Sequence, residues 1–411
     1  MAEETITLEL DAMAHGGEAI GRHEGRAIFV PYTIPGERVR AEIVDDHERY
    51  ARARLVEVLE PSPARVDPPC PYFGQDKCGG CQWQHIDTPV QPRMKGLVTL
   101  DQLSRVGGFR EPSVFEPIPD EVGWEYRNHA LFRVDPDGRL GFLKARSHEV
   151  YPVDECLIIH PLLSGLLHSL DMTYPELEWL EMRAGTATGD LMLLVQAKEE
   201  ESPSLHVDFP VSIVQIRHDD AVAPLIGLDY VLERIHQREF RISATSFFQV
   251  NSSQAAKLVN IVMGALDLDG SEHVIDAYCG VGLFTAFIAE EASLVTGIEV
   301  HPAAIADAEH NLVDATNVSL IEGPVEQALS EIEESVDAMV VDPPRAGLAP
   351  EVVDAIADHD PKRVVYVSCD PATLARDCRR LVRHGYRLEW VQPVDLFPQT
   401  YHIENVALLI R

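Results

Sequence analysis

Lysine is scarce in this chain of 411 residues: only six of its 34 basic residues are lysine, and 67 Asp and Glu leave a net charge of −33. The acid is spread along the sequence rather than gathered in a tail. A surface of that kind stays hydrated where salt screens its self-repulsion, so adaptation to a salty, halophilic cytoplasm is the expectation. Long apolar runs are missing as well. The longest largely apolar stretch, Ala277–Ala289, holds 13 residues and two glycines, too short to span a bilayer. The opening MAEETITLEL has no basic region followed by an apolar one. No secretory leader and no membrane partner are expected, and a cytoplasmic location is. No internal repeat or low-complexity segment interrupts the chain. Cysteine is sparse, odd in number at seven, and unevenly clustered, which argues against a disulfide framework and for metal or nucleophile roles.

What is present supports real cores: 45% of residues are hydrophobic, and the length suits two or three domains. Residues 4–60 read as about five short strands with glycine turns, the pattern of a small β-barrel. Pro61, Pro63, Pro68 and Pro69 then mark a linker. Residues 70–88 are cysteine-rich and loop-like, 91–108 have helical spacing, and 124–245 mix strands with a helical stretch at 160–170. From about 250 onward strands and helices alternate, which predicts βαβ units and a parallel, doubly wound sheet. Ligands of such sheets sit at the carboxyl ends of the strands.

Several of those strand ends carry chemistry. DAYCGVGLFT places Asp276, Gly280 and Gly282 between a strand and a helix, where glycine permits a tight turn and close approach to a ligand. The third glycine of a dinucleotide fingerprint is missing, and no Lys-Ser/Thr waits for phosphate. TGIEV ends the next strand at Glu299, placed to bind ribose hydroxyls; a solvated surface acid is the plainer alternative. Together these favour an adenosyl ligand without phosphates, and S-adenosylmethionine fits. VVDPPRAGL puts Asp342 at another strand end with two stiffening prolines behind it. VYVSCDPATLARD puts Cys369 at the next one, just before a helix opened by Pro371. A helix N-terminus or a cation lowers a thiol pKa, so the helix amides, Arg376 or Arg345 are expected to stabilise a thiolate. Inert packing is the alternative for Cys369 and the whole expectation for Cys378. FPQTYHIENVALL offers His402 and Glu404 as bases.

A second constellation lies nearer the N-terminus. CPYFGQDKCGGCQWQH supplies Cys70, Cys78 and Cys81, and Cys156 stands alone in VDECLIIHP. This set suits zinc or an iron–sulfur cluster, and spacing does not separate the two.

Taken together, these motifs resemble the RNA uracil-5 methyltransferase family, in its iron–sulfur branch, along essentially the whole chain. The resemblance implies an α/β fold: a Rossmann-like class I methyltransferase domain at 241–411, preceded by an OB-like TRAM barrel at 1–62 and an α+β central iron–sulfur domain at 63–240. The helix at about 91–108 is a candidate to pack on the catalytic domain. It implies Cys369 as nucleophile and Glu404 as base, from SCDPATLARD and TYHIENV. Cofactor contacts are implied for Gln249 in SATSFFQVN, for Tyr278, Gly280 and Gly282 in the glycine loop, and for Glu299 and Asp342. Leu283 stands where the family often has Asn or Ser. The four cysteines are implied as ligands of a 4Fe–4S cluster, with a longer first spacer than the family's. The expected activity is S-adenosylmethionine-dependent methylation of uracil carbon 5 in RNA by a monomer. Ribosomal 23S RNA is favoured and uridine 54 of transfer RNA is the alternative. Trp83, Phe247 and Phe248 are candidates for base stacking, with core packing as their alternative. Seven Lys/Arg against two Asp in Pro361–Arg387 make a candidate RNA-facing patch or merely a solvated helix face. Amino-group methylation would leave a Cys–Glu pair without purpose, and a non-catalytic iron–sulfur RNA-binding module would have no need of an intact glycine loop.

Overall fold

The computed structural model describes residues 5–170, 174–199 and 209–411. Five strands form the first unit: β1 (Thr5–Met13), β2 (Ala19–His23), β3 (Arg26–Val30), β4 (Arg38–Asp46) and β5 (Tyr50–Glu60). They close in the order β1-β2-β3-β5-β4. Alternation decides which side faces in: Ile6, Leu8 and Leu10 on β1 are buried and their neighbours Thr5, Thr7 and Glu9 are exposed. Small residues fill the narrow interior, with Ala19, Ala41, Ala51 and Ala53 beside Ile28, Val30 and Val39. At Gly21 a Cβ would collide with the Glu9 carbonyl oxygen, so the tight β1–β2 pairing requires glycine there.

The cysteine segment follows as loops and leads into α1 (Gln91–Gln102). Residues 114–118 then run along another sheet, bridging Val114 to Val391 and Ile118 to Val394. A seven-stranded sheet comes next: β6 (His129–Val134), β7 (Leu140–Leu143), β8 (Val150–Pro152), β9 (Leu177–Ala184), β10 (Leu191–Ala197), β11 (Ser212–Ile216) and β12 (Val222–Ile226), in the order β12-β11-β10-β9-β6-β7-β8. The helix α2 (Pro161–Ser169) covers one face of it, sharing a core of Phe132, Leu163, Leu166, Leu167 and Leu180. A hairpin, β13 (Tyr230–Ile235) and β14 (Arg238–Ser243), leads to the last unit.

There the elements alternate: α3 (Ser252–Leu266), β15 (His273–Ala277), α4 (Leu283–Glu291), β16 (Leu294–Glu299), α5 (Pro302–Asn311), β17 (Val318–Glu322), α6 (Val325–Glu331), β18 (Ala338–Val341), α7 (Pro350–His359), β19 (Arg363–Ser368), α8 (Pro371–Arg383), β20 (Arg387–Val394) and β21 (Glu404–Ile410). The sheet order is β17-β16-β15-β18-β19-β21-β20. Five strands are parallel, and β21 enters antiparallel between β19 and β20. Every residue of β15 and β18 is buried, as a sheet covered by helices on both faces demands. Strand order reverses at β15, which has β16 on one side and β18 on the other; that switch point opens a crevice at the carboxyl edge.

Candidate active site

Register brings the strand-end residues together. On β15, Ala277 pairs with Ile298 of β16 and with Val341 of β18, so Tyr278, Glu299 and Asp342 leave the sheet side by side. Ser368, the last residue of β19, pairs with Asn405 of the antiparallel β21. One step further, Cys369 and Glu404 stand opposite each other at the same edge.

The glycine loop is built for a ligand. Tyr278, Gly280 and Gly282 have φ of 67°, 56° and 85°. A Cβ at Gly280 would meet nothing within 4 Å, whereas one at Gly282 would press on Leu312: the first glycine faces the open crevice and the second the packed helix α5 region. Glu299 ties the loop down, with Oε2 accepting from Gly280 N at 3.0 Å and Oε1 from Val300 N and His301 N at 2.8 Å. Below the loop, Asp276 Oδ2 accepts from Thr285 Oγ1 at 2.6 Å, while its buried Oδ1 has no partner. Burial pushes that carboxyl up to about 7. An open glycine face, a strand-end acid with lone-pair capacity to spare and an orphaned oxygen fit an adenosyl ligand.

The reacting edge is crowded with carboxyls. The Cys369 thiol is pushed up to about 11, first by burial, then by Glu404 and less by Asp342; the Arg345 guanidinium, hydrogen-bonded to it, pulls the other way. Glu404 is 3% exposed, and its carboxyl is held well above the usual range by burial and by Asp342. Asp342 is raised to about 7 by burial and by Asp276. His402 is pushed down to about 3 by burial and the positive field of Arg345, Lys95, Arg127 and His15. It stays neutral, and its Nδ1 lies 3.0 Å from Arg345 Nη2.

Two expected thiolate stabilisers are not there. Asp370 Oδ1 takes the α8 amides of Ala372 and Thr373 at 2.9 Å each, so the helix N-terminus is already capped. Arg376 binds Asp377 and the Ala346 carbonyl. Of the three expected stabilisers, Arg345 is the one that hydrogen-bonds to the sulfur. The arginine patch is largely internal bracing too: Arg376 and Arg380 serve the buried Asp377, and Arg387 serves Glu389.

Comparison with known proteins matches residues 205–411 to the model of the tRNA (uracil-5-)-methyltransferase family and residues 2–56 to the TRAM domain. An uncharacterized RNA methyltransferase of Streptomyces coelicolor is 36% identical over 434 residues, spanning 99% of this chain and 93% of the relative. The chain belongs to the tRNA (uracil-5-)-methyltransferase family. Its activity is S-adenosylmethionine-dependent RNA (uracil-C5) methylation. A second relative, from Halalkalibacterium halodurans, is 36% identical over 445 residues, 99% of this chain and 97% of its own. The crystal structure of Pyrococcus abyssi tRNA (uracil-54, C5)-methyltransferase with S-adenosyl-L-homocysteine shares the fold with a TM-score of 0.77 at 27% identity, over 98% of this chain and 100% of that one.

Gln249 and the three aromatic candidates come from segments outside the strands of that edge. Gln249 lies on the segment between β14 and α3, 7% exposed, its carbonyl accepting from Asn128 Nδ2 at 3.0 Å. Trp83 is wholly buried and donates from Nε1 to Gly17 O at 3.1 Å. Phe248 packs against the core, and Phe247 is 69% exposed. The barrel reaches the catalytic unit directly, with His15 Nε2 3.2 Å from Asp370 Oδ2.

Cys70, Cys78, Cys81 and Cys156 line one cavity of about 190 Å³ together with Tyr72, Phe73 and Phe142. Burial raises all four thiols, Cys78 to about 12. Backbone N–H groups of Gly80, and of Ile158 and Ile159, are directed at the sulfurs of Cys78 and Cys156. Among the described residues, no three Cys, His, Asp or Glu side chains come close enough to grip a single metal ion.

Proposed function

We propose that methyl transfer runs through a covalent bond between Cys369 and carbon 6 of the target uracil. The register that sets Cys369 against Glu404 carries this reading. Uracil carbon 5 is a poor nucleophile until carbon 6 is saturated. Cys369 loses its proton to solvent, its thiolate adds to carbon 6, and the ring electrons move toward carbon 5 and the carbon 4 oxygen. Bound S-adenosylmethionine supplies an electrophilic methyl group, and Gln249, Tyr278, Gly280, Gly282, Glu299 and Asp342 are the residues that would hold it and the base. Carbon 5 attacks that methyl group, the sulfonium–methyl bond breaks with its pair left on the thioether sulfur, and carbon 5 then carries both a methyl group and a proton. Glu404 takes that proton, the C5–C6 double bond re-forms, and the sulfur leaves with its bonding pair. Dividing one hard step in this way is covalent catalysis. A carboxyl whose pKa is raised is a strong base once ionised. The target base must leave its stack to reach the edge, and the exposed Phe247 is the stacking group we assign beside it.

The four cysteines fit a 4Fe–4S cluster better than zinc. Four thiols surround a shared void without closing on one point, which suits a group of several atoms; a single zinc ion needs its ligands converged. The cluster would brace the 63–240 unit, which with the 1–62 barrel holds RNA against the 241–411 unit. The acidic surface we read as adaptation to high salt.

Ribosomal RNA is the target we favour, on the strength of the cysteine set. Transfer RNA position 54 is the second reading, favoured by the Pyrococcus abyssi enzyme, whose likeness extends over the barrel as well. Mapping 5-methyluridine in both RNAs from a strain lacking the gene separates the two. The chemistry is tested with RNA containing 5-fluorouracil. There the methyl group is transferred but no proton can be removed, so a protein–RNA adduct should survive denaturing electrophoresis. Cys369→Ala should lose both adduct and turnover; retained methylation would refute the covalent route.

A further inference from the structure

Residues 395–403 join β20 to β21 and deliver Glu404. This stretch is held from the N-terminal half of the chain. Lys95, buried in α1, donates from Nζ to Asp395 Oδ1 at 2.6 Å and to Phe397 O at 2.9 Å. Tyr126 Oη donates to Pro398 O at 3.1 Å. The amides of Gln82 and Trp83 both donate to Gln399 O at 3.0 Å. Three successive carbonyls are thus gripped by three different parts of the chain, and the last grip comes from the two residues after Cys81.

Gln399 is the unusual member. Its φ is 67°, a left-handed conformation that glycine takes freely and side chains resist. It is wholly buried, and its polar atoms are all engaged. Gln91 Oε1 accepts from Gln399 N at 2.8 Å, and Gln91 Nε2 donates to Gln399 Oε1 at 2.9 Å. Gln399 Nε2 donates in turn to Thr88 Oγ1 at 3.0 Å and to Gly123 O at 3.2 Å. A strained residue persists only where its surroundings over-determine it, and here a reciprocal amide pair does so. None of these bonds goes to a residue of the reacting edge.

We propose that Gln399 is a positioning residue whose lock with Gln91 sets the path of residues 397–403 and so holds Glu404 opposite Cys369. The proposal rests on the nucleophile and base assigned above. It also separates two halves of the reaction. Cys369 hangs from β19 and the glycine loop from β15, so addition to carbon 6 and methylation of carbon 5 do not depend on the lock. Removal of the carbon 5 proton does. Without that step the sulfur cannot leave, and the methylated adduct stays on the enzyme.

The test uses the full chain and unmethylated total RNA from a strain lacking the gene. It reads kcat, KM for RNA, thermal unfolding, and covalent adduct on denaturing gels without 5-fluorouracil. Gln399→Ala should lower kcat about 10- to 100-fold, the scale of a base displaced by about 1 Å, with KM within about threefold of the parent. Adduct should accumulate on ordinary RNA. Gln399→Asn keeps an amide and tolerates positive φ, so it should recover part of kcat and hold less adduct; it carries the same test should Gln399→Ala not fold. Glu404→Gln is the control. Adduct in that control but none in a folded Gln399 variant overturns the proposal alone. No adduct in the control overturns the base assignment and the proposal with it. Parental kcat in folded Gln399→Ala also overturns it.

Discussion

Cys369 and the four-cysteine cavity are both places where burial raises thiols, yet their surroundings differ in kind. Around Cys369 stand two carboxyls and one guanidinium, with the glycine loop at the same sheet edge. Around Cys81 stand Cys78, Cys156 and Cys70, with aromatic and aliphatic walls. A thiol among groups that can give and take protons is placed to form and break one bond. Thiols gathered this closely, with Arg127 favouring the Cys156 thiolate and Glu155 opposing the Cys70 one, need further positive charge to share before all four can ionise. On the reading proposed above, the same side chain serves turnover in one region and ligation in the other.

Exchanging sulfur for oxygen should break this comparison most sharply. Cys369→Ser should lower turnover roughly 10⁴-fold or more, the scale seen when a covalent nucleophile is removed, and leave iron content and thermal unfolding as in the parent. Cys81→Ser should do the reverse in order of cause. Anaerobically purified parent protein should be brown with about four irons per chain; the variant should lose most of them and unfold at lower temperature, with activity falling only as folded protein is lost. Stoichiometric zinc in the parent, or full iron in Cys81→Ser, would remove the cluster from the account.

Alkylation sharpens the electrostatic half. With its thiol at about 11, Cys369 of the free enzyme should react with iodoacetamide at pH 7 roughly 300-fold more slowly than a free cysteine, and about tenfold faster with each added pH unit, following the thiolate fraction. The sign at each neighbour is fixed. Arg345→Ala removes the one group that favours the thiolate, so it should slow the reaction further. Glu404→Gln removes a like charge, so it should speed it at alkaline pH where Glu404 would otherwise ionise. Mass spectrometry of the Cys369 peptide reads the rates. A thiol as reactive as free cysteine at pH 7 would mean that burial and the carboxyls do not govern it.

Much of the reacting edge was legible because strand ends can be counted. Apolar runs ending in Asp342 and Cys369, and glycines following Asp276, fix positions along a parallel sheet without knowledge of distant contacts. The strand β20 escaped notice because Arg387, Glu389 and Gln392 alternate with apolar residues and Pro393 interrupts the run. Sequence shows the Arg376 charge near Cys369 but not where it points; the adjacent Asp377 claims it. Likewise Asp370 caps the helix and occupies the amides expected to stabilise the sulfur. The lock of Gln91 with Gln399 lies beyond any local reading. Its partners are 308 residues apart, and neither side chain carries charge or periodicity to announce it.

The remaining cysteine on α8 sets the baseline against which the others count. Cys378 is wholly buried beside Leu374, Leu381 and Val391, nine residues from Cys369. It faces no group that needs a sulfur, and burial, helped by the Asp377 charge, keeps its thiol protonated. Removing one buried sulfur leaves a cavity smaller than a leucine would. Cys378→Ala should therefore lower stability by about 1 kcal/mol, at the small end of large-to-small core changes. Its methylation rate and its 5-fluorouracil adduct should match the parent within about twofold, since a change of that size leaves nearly all of the protein folded. Denaturant unfolding and single-turnover methylation measure the two effects separately. If Cys378→Ala instead loses adduct formation while remaining folded, the chemistry does not reside in Cys369 alone, and the division between reacting and packing cysteines on β19 and α8 has to be redrawn.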